Sequence, residues 1–114
     1  MSISQNAANA FKLKQTFGSN NTTVTVDKND YYKTIKMYLH GNNIAILIDN
    51  ELIGETLIVS MCGYDTRVTR DRLNAIEGVE VTRKNNKTYL NGKEWNGRKV
   101  DVKEWNKLKD KIND

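Results

Sequence analysis

Between Tyr31 and His40 apolar and polar side chains alternate with a period of two, and this stretch limits the possible folds more than any other. Tyr31, Ile35, Met37 and Leu39 share one face with Lys33, while Tyr32, Thr34, Lys36, Tyr38 and His40 share the other. Successive side chains of a strand point to opposite sides, so this segment demands a sheet with one buried face and one wet face. Gly41-Asn42 then supplies a turn, and Ile44 to Ile48 is apolar on both faces, the pattern of a central strand. Upstream, Thr22 to Val26 is β-branched throughout and reads as a strand, closed by a turn over Asp27 to Asp30. Downstream, a connection from Asp49 to Glu55 leads to another buried strand over Thr56 to Met61.

The second half alternates hairpins with helices. Asn85-Asn86 and Asn91-Gly92 occupy two-residue turn positions that tolerate positive φ, which sets Val81 opposite Leu90 and Thr88 opposite Trp95. Val79, Val81, Leu90 and Trp95 then share a buried face. Thr69 is expected to cap a helix of about two turns, with Val68 stapled to Leu73, Ile76 facing the core and Gly78 as its left-handed stop. Asp101, with Glu104 three residues on, forms a capping box for a final helix. Val102, Trp105, Leu108 and Ile112 form its apolar stripe, and Lys107, Lys109 and Lys111 fall in its last turns. Residues 1–10 carry no charged side chain and no periodic pattern, so they are expected to form a disordered tail. Residues 11–114 form the expected single α+β domain, a small antiparallel sheet with β-hairpins and two short helices.

Composition narrows the chemistry. A chain of 114 residues supports one modest core. One cysteine, Cys62, rules out an internal disulfide framework and a cysteine-based zinc cluster, and it reads as a small buried hydrophobe. One histidine, His40, has no second histidine or cysteine pair to build a metal site with. No nucleophile–base pair is recognisable, so no catalytic residue and no cofactor is expected. Asp49, Glu51 and Glu55 share a loop and could form an acid–base pair or hold a divalent ion, although their neighbours give no reason for a tuned pKa. No signal peptide or membrane-crossing stretch is expected, which places the protein in the cytoplasm.

The net charge of +4 is unevenly distributed: residues 1–65 hold five lysines against six carboxylates, and residues 66–114 hold thirteen Lys and Arg against eight carboxylates. The second half is therefore the side suited to an anionic partner. Its densest segment, Thr66 to Asn74, places Arg67, Arg70 and Arg72 with the Thr66 and Thr69 hydroxyls around an expected helix start, where unpaired amides and the helix dipole attract negative charge. Arg70 and Arg72 in a first turn oppose that dipole, a local conflict that a bound phosphate or carboxylate would relieve. Tyr64 and Lys93 are the supporting contacts. Pairing of these arginines with Asp65 and Asp71 is the competing reading. Trp95, Trp105, Tyr89 and Tyr64, interleaved with Lys84, Lys87, Lys93 and Arg98, could stack on bases, but both tryptophans also fit core positions.

Leu39-His40-Gly41-Asn42-Asn43-Ile44-Ala45, then Thr66 through Asn74, then Tyr89-Leu90-Asn91-Gly92-Lys93-Glu94-Trp95-Asn96-Gly97 follow in an order that resembles a group of small bacteriophage proteins. These share a strand ending in His-Gly-Asn, a Thr-rich turn into an Arg-Leu-Asn helix and a late Tyr-Leu-Asn-Gly hairpin with a Trp; the likeness spans residues 37 to 98. This chain departs from the pattern by its longer Asp49 to Glu55 connection and its extra N-terminal strand. The resemblance implies a phage origin and action in the cytoplasm of the infected host cell. It implies a non-enzymatic inhibitor or sequestering protein of host takeover or counter-defence, whose partner is a nucleotide signal or the acidic surface of a host or defence protein. A small nucleic-acid-binding accessory protein is the alternative. No membrane partner is expected, and a homo-oligomer would help so small a domain enclose a ligand.

Overall fold

The computed structural model describes residues 2–113, with side chains described as far as residue 108. Nine strands and three helices are present among them. Strands β1 (Phe17–Ser19), β2 (Thr22–Lys28), β3 (Tyr32–Leu39), β4 (Asn42–Asn50) and β5 (Gly54–Val59) form an antiparallel meander, and β9 (Val100–Asp101) adds to the β5 edge. Strands β6 (Val81–Lys84), β7 (Lys87–Leu90) and β8 (Lys93–Glu94) make a separate three-stranded antiparallel sheet. The α+β antiparallel architecture is as the sequence predicts, with one more helix.

That extra helix is α1 (Ile3–Leu13), which corrects the expected tail over residues 1–10. The Ser2 hydroxyl accepts from the Gln5 amide, and Lys14 in the left-handed region closes the other end by donating to the Ala10 and Phe11 carbonyls. Ala7, Ala10 and Phe11, spaced three and one apart, bury one side against the sheet core. Alanine gives a weak hydrophobic period but a high helix propensity, so the element is set by packing more than by pattern.

The alternation of β3 gives the expected single buried face. Ile35, Met37 and Leu39 are buried with Val24, Leu47 and Val59 and with α1 residues in one core cluster. The opposite face shows Thr25, Lys36, Tyr38, Ile46, Ile48 and Ile58, all partly exposed. The β4 segment is therefore not buried on both sides as its composition suggests; a register shift between Met37 and Tyr38 places Ile44 and Ala45 inward together, and Ile46 and Ile48 remain half-covered.

Both hairpins have the predicted register. Val81 pairs with Leu90, the Trp95 amide donates to the Thr88 carbonyl at 2.8 Å, and Asn85, Asn86, Asn91 and Gly92 all have positive φ. Val79, Val81, Leu90 and Trp95 are buried. Helix α3 (Val102–Asn113) is capped by Asp101, whose Oδ1 accepts from the Lys103 and Glu104 amides. The Glu104 carboxylate lies 3.5 Å from Lys107 Nζ. Val102 and Trp105 are buried, whereas Leu108 is largely exposed, so the predicted apolar stripe is seated only in its first turns. The side chains of Lys109, Lys111 and Ile112 lie outside the described residues. Both indoles are structural: Trp105 Nε1 donates to the Leu90 carbonyl at 2.8 Å and Trp95 Nε1 to the Arg98 carbonyl at 2.9 Å.

Candidate functional site

Helix α2 (Arg67–Asn74) starts three residues earlier than the sequence suggests. Its cap is Thr66, whose Oγ1 accepts from the Thr69 amide at 3.2 Å, and the two threonine hydroxyls are 3.0 Å apart. Thr69 is buried. The reason is tertiary. Asp65, the residue before the cap, accepts from Arg70 Nη1 at 2.5 Å, from Arg83 Nη1 at 2.9 Å and from the Thr88 hydroxyl, which ties the chain to the β6–β7 hairpin before the helix begins. Partial burial pushes the Asp65 carboxyl up, but the Thr88 hydrogen bond and the Arg70 and Arg83 charges outweigh it and hold the group below the usual carboxylate range. The helix also stops earlier, at Asn74, and Gly78 with φ +86° lies in the following turn.

The shift redistributes the arginines. Arg72 falls in the last turn, buried, with Nε donating to Thr22 Oγ1 at 2.9 Å, Nη1 to Ser4 Oγ at 2.6 Å and Nη2 to Asn21 Oδ1 at 3.2 Å. It ties α2 to α1 and to the start of β2. Arg70 is taken by Asp65. Only Arg67, the first residue of α2, is exposed. The expected convergence of three guanidinium groups on a common anion is thus corrected: one arginine is internal, one is neutralised and one is open. Lys93 sits over the Trp105 ring, 4.9 Å from its centroid, in the hairpin–α3 layer.

What the segment does border is a cavity of about 480 Å³ lined by Leu39, His40, Asn42, Ile44, Met61, Tyr64, Thr66, Val68 and Thr69. Buried Leu39, Ile44 and Met61 form its apolar floor, and His40, Tyr64 and Val68 are exposed. The backbone around it is shaped by positive φ at His40 and Gly41 in the β3–β4 turn and at Cys62 and Gly63 after β5. Cys62 is half-buried and packs against the core cluster, and its Sγ lies 2.9 Å from the Asn43 carbonyl. Behind the floor, the Met61 amide donates to the Gly97 carbonyl at 2.8 Å, which brings the exposed Arg98 and Lys99 to this end of the sheet. Of the residues singled out in the sequence, Tyr64, Thr66 and Thr69 line this cavity; the contributions from the β3–β4 turn region and from Met61 after β5 are not anticipated there. His40-Gly41 was the available signal, a turn whose place in the same cavity wall as Thr66 only the folded chain establishes.

A larger cleft of about 930 Å³ lies on the helix side, between α1 and α3. Apart from Lys103, its rim charges compensate one another: Lys12 pairs with Glu77 at 2.9 Å, and Lys14 with Glu55 at 3.0 Å and Asp49 at 3.6 Å. Of the three carboxylates expected in one loop, Asp49 and Glu55 thus lie in β4 and β5 and are engaged by Lys14, and Glu51 stands in the turn between those strands. Among the described residues, no group of three or more His, Cys, Asp or Glu could hold a metal ion, and no helix is long and apolar enough to cross a membrane.

No curated protein and no solved structure matches the chain. The model of the Kyanoviridae Gp96 protein family matches residues 1–110, so the phage resemblance of the strand end, helix and hairpin extends over nearly the whole sequence. The chain belongs to the Kyanoviridae Gp96 protein family, a family of cyanophage proteins.

Proposed function

We propose that this cyanophage protein works by occupancy, as a non-enzymatic inhibitor or sequestering protein of host takeover or counter-defence, and that the cavity at the His40–Gly41 end of the sheet holds its anionic target. The observation that carries this reading is an apolar floor walled by the start of α2, whose first residue, the exposed Arg67, lies in sequence between the lining residues Thr66 and Val68. Leu39, Ile44 and Met61 offer a dry surface to a ring or aliphatic group, Tyr64 offers a face for stacking, and Arg67 stands beside Thr66 and Val68 at the positive end of α2. At about 480 Å³ the cavity falls within the range of roughly 300–1,000 Å³ that small-molecule sites occupy. A nucleotide signal combines these demands, with base on the floor and phosphate at Arg67; an apolar side chain flanked by carboxylates on a defence protein meets them as well.

Thermal-shift measurements against cyclic nucleotides, ADP-ribose derivatives and short oligonucleotides test the small-ligand branch. A ligand at about a hundred times its Kd stabilises the folded state by about 2.7 kcal/mol, a readily measured rise in Tm. The rise is expected in the wild type and lost in Arg67→Glu. No shift with any of them leaves only a protein target.

One observation favours nucleic acid as a second reading. Tyr32 and Tyr38 flank Lys36 on the open face of the six-stranded sheet, a stacking surface with a cation between its rings. That reading requires binding to single-stranded DNA or RNA that falls steeply with salt and is reduced by Tyr38→Ala.

A further inference from the structure

We propose that the same cavity receives the β4–β5 turn of a second copy of this chain, so that the protein associates head to tail when no target fills the site. The inference rests on reading the cavity as a receptor for an apolar group flanked by negative charge.

The turn is built as such a group. Leu52 is 92% and Ile53 80% exposed at its tip, the two most exposed large hydrophobic side chains among the described residues. They are not on a loose loop: Asn50 Oδ1 accepts from the Leu52 amide at 2.8 Å and from the Ile53 amide at 3.2 Å. The neighbouring β2–β3 turn braces it, with the Glu51 amide donating to the Tyr31 carbonyl at 3.4 Å. Two adjacent branched side chains held in water at a stiffened turn are an apolar knob, unlike isolated surface hydrophobes.

The knob's surroundings are acidic and the cavity's are basic. Asp27, Asp30, Asp49, Glu51 and Glu55 gather at the turn end of the sheet, against Lys14, Lys28 and Lys33. Arg67, Arg98 and Lys99 are exposed at the cavity end, against Asp71 one turn along α2, Asp65 being already taken by Arg70 and Arg83. Glu51, beside the knob, is the carboxylate placed to meet Arg67. Strand β4 runs from Asn42, which lines the cavity, to Asn50, which braces the knob. Its nine residues separate the two by roughly 30 Å, so no chain reaches its own cavity and the contact joins copies heterologously. Self-association and target capture then compete for one site.

Sedimentation velocity of the full chain over a concentration series tests this. The wild type is expected to show a sedimentation coefficient that rises with concentration. Leu52→Asp/Ile53→Asp, which spoils the knob, and Val68→Glu, which places a carboxylate at the cavity rim, should each remain monomeric. Both variants change exposed positions, and circular dichroism checks that they fold. Mixed in equal amounts they should form dimers and nothing larger, since only the knob of one and the cavity of the other remain usable. A monomeric wild type at every concentration, self-association of either variant alone, or a mixture that stays monomeric overturns the inference. The nucleotide thermal shift of the Leu52→Asp/Ile53→Asp variant separates the two readings: if it persists while the mixture stays monomeric, self-association fails and the receptor stands. If the mixture dimerises and no nucleotide shifts the melt, self-association stands and the nucleotide branch falls.

Discussion

Replacing Arg72 by methionine separates a structural tie from a ligand donor. The guanidinium makes three hydrogen bonds, to Thr22, Ser4 and Asn21, and bonds to a charged partner are each worth about 1.5–3 kcal/mol. Simple addition overstates the loss for three reasons. Ser4 and Asn21 are only partly buried and can turn to water once the donor is gone. Thr22 is fully buried but keeps its own bond to Asn21 Oδ1 at 2.8 Å. Methionine also preserves the packing of the side-chain stem, and its neutral thioether removes the desolvation of a buried cation whose three acceptors are all uncharged. A net destabilisation of about 2 kcal/mol is expected, dominated by the unmet acceptor on Thr22 and the loosened junction of α1, α2 and β2. In urea, with a slope near 2 kcal/mol per molar, the midpoint falls by about 1 M. Arg67→Met, at an exposed position of the same helix, is the control and should stay within about 0.5 kcal/mol of the wild type. An Arg72→Met protein as stable as that control refutes the reasoning and returns Arg72 to the list of anion donors.

Other perturbations follow from the same contacts. Asp65 is depressed in the folded state, so its contribution is fully present above the unfolded value near 3.8 and is lost as pH falls through the lower folded value; acid melts should show the wild type losing stability below about pH 4, with Asp65→Asn flatter over that window. Gly97→Ala should destabilise by roughly 1–3 kcal/mol in thermal melts, because φ is +85° and the new Cβ would stand 3.1 Å from the Met61 Cβ. Trp105→Phe removes the bond to the Leu90 carbonyl and much of the contact with Lys93, and about 1–2 kcal/mol should be lost in urea unfolding.

How far the sequence specifies this molecule depends on how local each decision is. The Asn85-Asn86 and Asn91-Gly92 turns are legible because positive φ is decided within two residues, and register then follows without reference to the rest of the chain. Helix α1 escapes notice because its buried side is three alanines and a phenylalanine, residues that mark no face until the sheet supplies one. The start of α2 is a choice between two threonines, each a good cap, and Asp65 decides it through Thr88 and Arg83, about twenty residues onward in the chain. The partners of Arg72 are fifty or more residues away, so no window along the chain distinguishes an internal tie from an open donor. The same non-locality made the candidate site half visible. Tyr64, Thr66 and Thr69 announce themselves as a cluster, but the floor they stand on comes from the end of β3 and the start of β4, and it is completed because an antiparallel meander returns Met61, after β5, to the same end of the sheet. A helix start rich in arginine therefore binds anions only to the extent that folding leaves the arginines unused, and here it leaves Arg67.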